Sequence, residues 1–389
     1  MCLTENRKLF LAVLGDALWG TNKSAKSLSA ITGKQVGELL AEAEKQTVHG
    51  LVFDIIGKQK YSLSTSFVYE HIGLMSQTMA QNEHMNQVLV EFAKVMDLRS
   101  IDYIVVKGQS VGYCYPMPLL RSSGDIDFYC SPDYFQKAKQ TLPNVMGIAF
   151  DGEDSEHHLS FDWQGVRFEM HFALFNFYDN RKNRLWNEML NQAGATTFAL
   201  LDYEIKTLPA TLHTFYVFLH LYEHLLELGV GLRQFCDFAI LLHHQRESID
   251  HETFRKYAKD FGMTKAIKAC GVILVNYLGL PVKDFPFALT ERDEKRAKRM
   301  LDVVFYRGNM GKYNKRGGFS GYKHNLESTG IKLSHFVKFA PLSPSFCIRW
   351  IGHEIPKKLM MKTNNVLKGI WMFSKYIFVP QWGKHKETK

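Results

Sequence analysis

Long apolar runs are missing from this 389-residue chain. No stretch approaches the ~20 unbroken apolar residues that a membrane-spanning helix needs. Near the N-terminus only Leu9-Phe10-Leu11-Ala12-Val13-Leu14 precede Gly15 and Asp16, too few for the apolar region of a signal peptide. Cysteine is sparse as well. The six (Cys2, Cys114, Cys130, Cys236, Cys270 and Cys347) form no C-x-x-C pair, which excludes a disulfide-dense secreted scaffold and a cysteine zinc ribbon. They fit a reducing compartment, so the expected address is the cytoplasm. Internal repeats and low-complexity tracts are lacking too.

What is present is ordinary globular usage, 46% hydrophobic and 22% charged, at a length that allows two or three domains. The charge is unevenly spread. Residues 291–389 hold 21 Lys and Arg against 7 Asp and Glu, whereas the rest holds 27 against 32. Such asymmetry predicts a C-terminal surface that meets an anionic partner, nucleic acid or a membrane lipid face, with a plain solvated basic face as the alternative. In the tail, Lys357, Lys358, Lys362, Lys368 and Lys375 interleave with Leu367, Ile370, Trp371, Phe373, Tyr376 and Ile377, a pattern that suits a peripheral membrane contact or an ordinary docked terminal helix.

Periodicity divides the chain. Residues 1–95 read as helices, with Leu28, Ile31, Val36, Leu39 and Leu40 at helical spacing. At Ile101 the pattern changes to a β-branched run, Ile101 to Val106, that stops at Lys107-Gly108. Asp125-Ile126-Asp127-Phe128-Tyr129-Cys130 alternates as a second strand, and Ser131-Pro132 opens a helix to about Leu142. Leu159–Trp163, the turn Gln164-Gly165 and Val166–Phe172 read as a hairpin. From Leu208 to about Leu280 the pattern is helical again, Glu291–Met300 is a charged helix or linker, and Gly317, Gly318 and Gly321 mark a break. The expected organisation is a helical region 1–95, a strand-rich core 96–204, a helical region 205–300 and a basic aromatic region 301–389.

The chemistry concentrates in the core. Period-two geometry sends Asp125 and Asp127 to one strand face with Cα atoms roughly 7 Å apart, and Ile126 and Phe128 to the other. In the later strand Val166, Phe168, Met170 and Phe172 form the apolar side, and Arg167, Glu169 and His171 share the opposite one. If the two strands are neighbours, Glu169 is a third carboxylate beside the Asp pair, and three such groups repel unless a cation lies between them. Asp162, next to the turn, is the competing third carboxylate. Hard oxygen donors suit Mg²⁺, and two such ions ~3.5–4 Å apart would clamp the oxygens of an in-line phosphoryl displacement. Gly108 permits close backbone approach to a phosphate, Lys107 supplies a point charge, and Arg121 offers a bidentate contact. Arg121 has the alternative of a structural pair with Asp125 or Asp133.

Val106-Lys107-Gly108-Gln109-Ser110, then Tyr115-Pro116, then Arg121-Ser122-Ser123-Gly124-Asp125-Ile126-Asp127, resembles the signature of the uncharacterised nucleotidyltransferase family of the DNA polymerase beta-like superfamily. Phe168-Glu169-Met170-His171 and Leu232-Arg233-Gln234-Phe235-Cys236-Asp237 are similar to that family's downstream segments. The resemblance covers roughly residues 30–280. It implies an α+β fold with a small mixed β-sheet core flanked by N- and C-terminal helical regions, and two-metal transfer of a nucleoside monophosphate from a nucleoside triphosphate such as ATP to an acceptor hydroxyl. On this chain it points to Asp125, Asp127 and Glu169 as catalytic ligands of Mg²⁺ or Mn²⁺. Lys107, Gly108, Ser110, Arg121 and Ser123 would bind the nucleotide, and His171 and Arg233 would contact substrate. Gln109 after Gly108, and Glu in place of Asp at 169, depart from the family's pattern.

Two rival readings remain. His220-Leu221-Tyr222-Glu223-His224 matches H-x-x-E-H, so a zinc hydrolase with Glu223 as base and Glu227 as nominal third ligand is one of them. The pairs His157-His158 and His243-His244 point apart and add little. The other is a non-catalytic anion-binding adaptor with a vestigial transferase core. Arg233 and Asp237, four apart, predict an intrahelical ion pair.

Overall fold

A six-stranded mixed sheet lies among helices in the computed structural model, which describes residues 3–353 apart from 60, 62, 152–157, 228 and 310–321. The basic tail beyond 353, the glycines 317, 318 and 321, and His157 therefore lie outside the described residues.

Helices α1 (Glu5–Trp19), α2 (Ala25–Leu28), α3 (Gly33–Lys45), α4 (His49–Ile56) and α5 (Thr65–Leu98) open the chain. Their starts follow from capping chemistry: the Thr4, Thr32 and Ser64 hydroxyls accept from the backbone N–H groups of Arg7, Gln35 and Phe67. Then come β1 (Ile104–Val106), α6 (Gln109–Gly112), β2 (Ile126–Tyr129), α7 (Pro132–Met146), β3 (His158–Trp163), β4 (Val166–His171), α8 (Asn180–Ala193), β5 (Thr196–Leu200) and β6 (Tyr203–Thr207). Helices α9 (Ala210–Glu227), α10 (Leu232–His244), α11 (His251–Asp260), α12 (Thr264–Val272), α13 (Glu291–Arg307) and α14 (Tyr322–Phe339) complete the described elements of ordinary helical type.

The sheet order is β3-β4-β2-β1-β6-β5. β2 runs parallel to β4 and β1 parallel to β6, while the β1–β2, β3–β4 and β5–β6 pairs are antiparallel. Alternation decides the faces. Val105, Ile126, Phe128, Phe168 and Met170 turn to a cluster completed by α5 and α7, in which Phe92 lies 4.7 Å from Phe128 and 4.9 Å from Phe168, ring centre to ring centre. Ile104, Val106 and Tyr129 turn the other way, into the larger core that joins the N-terminal helices to α8–α13. α9 is apolar nearly all round and is accordingly buried at the centre of that core.

Several expectations shift. The strand expected from Ile101 shortens to Ile104–Val106, although Ile101 and Tyr103 are buried as a strand would bury them. Ser131 makes no side-chain bond to α7, which Pro132 starts and which continues past Leu142 to Met146. Phe172 lies beyond the end of β4 and is 36% exposed, so it sits at the margin of the apolar face, its ring edge-on to Phe135 at 5.0 Å. Glu291–Met300 belongs to a helix, with Thr290 and Asp293 forming its capping box. The β5–β6 hairpin was not expected at all, and β6 runs past 204 to Thr207, whose hydroxyl donates to the Val105 carbonyl at 2.8 Å.

Candidate active site

Where β1 ends, Lys107 has φ +58° and Gly108 φ +44°. Only glycine adopts the second readily, and a Cβ there would stand 3.4 Å from the Asp125 carbonyl. A lysine in the left-handed region is held against roughly 1–3 kcal/mol of strain. Ser110 fastens the bend: its backbone N–H and hydroxyl both donate to the Lys107 carbonyl, at 2.9 and 2.7 Å. The bend aims the Lys107 ammonium at Asp127 Oδ1, 2.7 Å away.

Asp127 and Glu169 are direct partners in the parallel β2–β4 register, which places their backbones roughly 4.8 Å apart with side chains on one face. Asp125 lies immediately before β2 and lines the same pocket. His171 donates from Nε2 to Asp127 Oδ1 at 2.7 Å, and the same nitrogen lies 3.6 Å from Glu169 Oε2. His158 Nε2 is 3.7 Å from Glu169 Oε1, so Glu169 stands between two imidazoles. Asp162 is two pairs farther along the hairpin, 68% exposed and bonded to Arg167 Nη1 at 3.2 Å, so Glu169 and not Asp162 adjoins Asp127.

The electrostatics follow from this crowding. Burial would raise the Asp127 carboxyl, but Lys107 and the His171 hydrogen bond outweigh it and hold Asp127 below the usual carboxylate range. Asp125 is raised, first by the charge of Asp127 and then by burial. Burial, with Asp127 and Asp125 beside it, pushes Glu169 up to about 7. One ammonium does not neutralise three carboxylates. The donor set, hard oxygens with uncompensated negative charge, fits a divalent cation such as Mg²⁺.

The pocket over these groups measures about 770 Å³, and α9 and α10 supply its far wall. Arg121 and Arg233 both line the pocket but differ in their partners. All three nitrogens of the Arg121 guanidinium have a protein partner: Nε and Nη2 donate to the two carboxylate oxygens of Asp237 at 2.7 and 2.9 Å, and Nη1 donates to Ser123 Oγ at 2.9 Å. Its partner is therefore neither Asp125 nor Asp133. With Asp237 so occupied and also accepting from Tyr115 OH at 2.7 Å, the Arg233–Asp237 pair does not form. Arg233 instead donates from Nη1 to the Ser122 carbonyl at 2.7 Å, and its buried Nε lacks a partner. Burial, followed by the nearby Arg121 charge, lowers the Arg233 pKa, so an anion in the pocket would be welcome there. Ser110 does not line the pocket; its hydroxyl is spent on Lys107 and lies 3.2 Å from His213 Nε2.

His220 and His224 face the same pocket, Nε2 to Nε2 at 3.1 Å. Burial and Glu227 push Glu223 up to about 8, and Glu227 is bonded to Lys332 at 2.6 Å. Among the described residues no third donor closes on the two histidines within 4.8 Å, so the zinc-hydrolase arrangement is not assembled. Tyr115 and Asp237 stand in segments that resemble the family's, but nothing in those segments pairs them with Arg121, which they meet only through the fold.

A mixed α+β core thus presents adjacent carboxylates beside a lysine–glycine bend. The family model described as uncharacterised nucleotidyltransferase matches residues 32–279, and the chain belongs to that family. No curated protein matches it. Among solved structures it is similar to an antigenic nucleotidyltransferase-like protein from Paracoccidioides brasiliensis, at 14% identity over 41% of this chain and 76% of the other, with a TM-score of 0.31, too loose to transfer any residue role. Among the described residues no helix is long and apolar enough to cross a membrane.

Proposed function

We propose that the pocket moves a nucleoside monophosphate from a nucleoside triphosphate to an acceptor hydroxyl. The observation that carries this reading is the Asp127–Glu169 register with Asp125 beside it, facing a pocket that Lys107 enters from the strand end. Asp125, Asp127 and Glu169 would hold Mg²⁺ or Mn²⁺, which when bound neutralises charge on the phosphates and on the attacking oxygen. Lys107 sets the charge and position of Asp127. Gly108 leaves room for a phosphate against the backbone, Arg233 brings an unfilled guanidinium N–H to the same space, and Ser123 shapes the loop between them. Arg121 and Ser110 hold this frame and touch no phosphate. His171 keeps the Asp127 carboxylate oriented by donating to Oδ1. Glu169, nearest neutrality of the three, is the group suited to take the proton that the hydroxyl gives up.

Incubation of cell extract and the chain with each labelled triphosphate and Mg²⁺ or Mn²⁺ tests the proposal, because the species that becomes labelled is the acceptor. Failure of every triphosphate to label anything, with folded protein, counts against it. A pH profile adds a second check. Glu169 protonates as pH falls through about 7, and the protonated form neither binds a cation nor accepts a proton, so kcat/KM is expected to rise with pH through that range. An ion and a proton compete for one carboxylate, so raising the divalent ion should move the midpoint to lower pH. A midpoint indifferent to the ion would contradict this assignment.

A further inference from the structure

Away from the sheet, three helices bring Glu44, His49 and His71 together. Glu44 stands in the last turn of α3, His49 is the first residue of α4, and His71 lies in the second turn of α5. His49 Nε2 and His71 Nδ1 face each other at 2.8 Å, and that Nδ1 is 4.0 Å from Glu44 Oε1. The imidazoles are 7% and 5% exposed, whereas the Glu44 side chain is 43% exposed and reaches water. The Phe53 ring stacks on His49 and Phe67 stands edge-on to His71, so apolar surface backs both imidazoles.

We propose that Glu44, His49 and His71 form a zinc-class metal site that fastens α3, α4 and α5 to one another. Two ring nitrogens at 2.8 Å cannot both carry protons, so at least one lone pair is aimed into the gap between them. Two imidazoles and one carboxylate are a donor set for Zn²⁺, with a fourth position left to water on the open Glu44 side. Around a tetrahedral ion with bonds of ~2.0–2.1 Å, donor atoms stand roughly 3.3 Å apart. From 2.8 Å the imidazoles would part by about half an ångström; the carboxylate would close on His71 from 4.0 Å and on His49 from within 4.8 Å, by at most about 1.5 Å, a movement within reach of rotation of the exposed Glu44 side chain. Imidazole ligation disfavours Mg²⁺ and Ca²⁺, which take oxygen. The site bears on the pocket through α5, whose Asn82 amide donates to the Leu119 and Arg121 carbonyls at 2.8 and 2.7 Å.

The test is titration of the chelator-stripped full chain with Co²⁺ and then Zn²⁺, alone, in an Asp127→Asn/Glu169→Gln background, because His158, Glu169 and His171 offer a second group of two imidazoles and a carboxylate that Asp127→Asn alone would leave intact. One equivalent of Co²⁺ should develop the visible absorption of a tetrahedral ion, and Zn²⁺ should displace it. Glu44→Gln should weaken binding by at least about tenfold, and His71→Ala should abolish it. Glu44 is half exposed, so Glu44→Gln keeps the fold and decides the matter even if His71→Ala does not fold. Absence of the Co²⁺ band, or binding unchanged in Glu44→Gln, would mean that His49 and His71 share only an imidazole–imidazole hydrogen bond. The readout is independent of nucleotide transfer.

Discussion

The variant Asp127→Asn is expected to transfer nucleotide at least about a thousandfold more slowly than the parent chain, the size of loss that several kcal/mol of charge stabilisation implies. It is also expected to remain folded. The amide oxygen still accepts from Lys107 and His171, the two groups that hold Oδ1, and removal of one negative charge relieves Asp125, which Asp127 raises more than any other neighbour does. The lost attraction to Lys107 and the lost repulsion therefore offset one another. Asp162→Asn is the control. Its carboxylate meets solvent and Arg167, so transfer should be unchanged. A labelling assay with each triphosphate, read beside a thermal melt of both variants, decides. Undiminished transfer by Asp127→Asn would end the carboxylate mechanism.

How much of this could be read from residue order depends on the range of the interaction. Asp125-Ile126-Asp127-Phe128 declares its two faces by alternation alone, and Gln164-Gly165 announces the β3–β4 turn, where both residues have positive φ. Both signals are local. The register that sets Asp127 against Glu169 is not local, but the order of motifs made it the natural expectation. The β5–β6 hairpin escaped because its turn, with Leu201 at φ +53°, contains neither glycine nor asparagine, and because its outer face is polar and exposed. The i, i+4 rule pointed to Arg233 with Asp237, and the fold overrode it by bringing Arg121 from 116 residues away. Nothing in a sequence marks that encounter, since any buried carboxylate takes the guanidinium that reaches it with two parallel bonds. The Glu44–His49–His71 group is similarly invisible: its members lie on three helices with no motif spacing.

Asp237→Ala is expected to lower stability by about 3–5 kcal/mol, because it strands a buried guanidinium. Arg121, Asp237 and Tyr115 are all buried, and the carboxylate accepts from the other two at 2.7–2.9 Å. Burial would raise the Asp237 carboxyl, yet Arg121 holds it below the ordinary range. The stabilisation it provides is thus present above the unfolded carboxylate pKa and is lost as pH falls through the lower, folded one. On a thermal melt the substitution should appear as a drop of roughly 5 °C. The doubly substituted Arg121→Met/Asp237→Leu chain removes both charges and should recover much of that loss, as buried pairs replaced by apolar side chains commonly do. The same chain separates the two arginines. If Arg121 only frames the loop, the KM for triphosphate should change little in the double variant but rise in Arg233→Met, whose own stability should be nearly unaltered because Arg233 has no carboxylate partner to strand. A double variant that binds triphosphate as poorly as Arg233→Met would return Arg121 to the phosphate and refute its assignment as a framing residue.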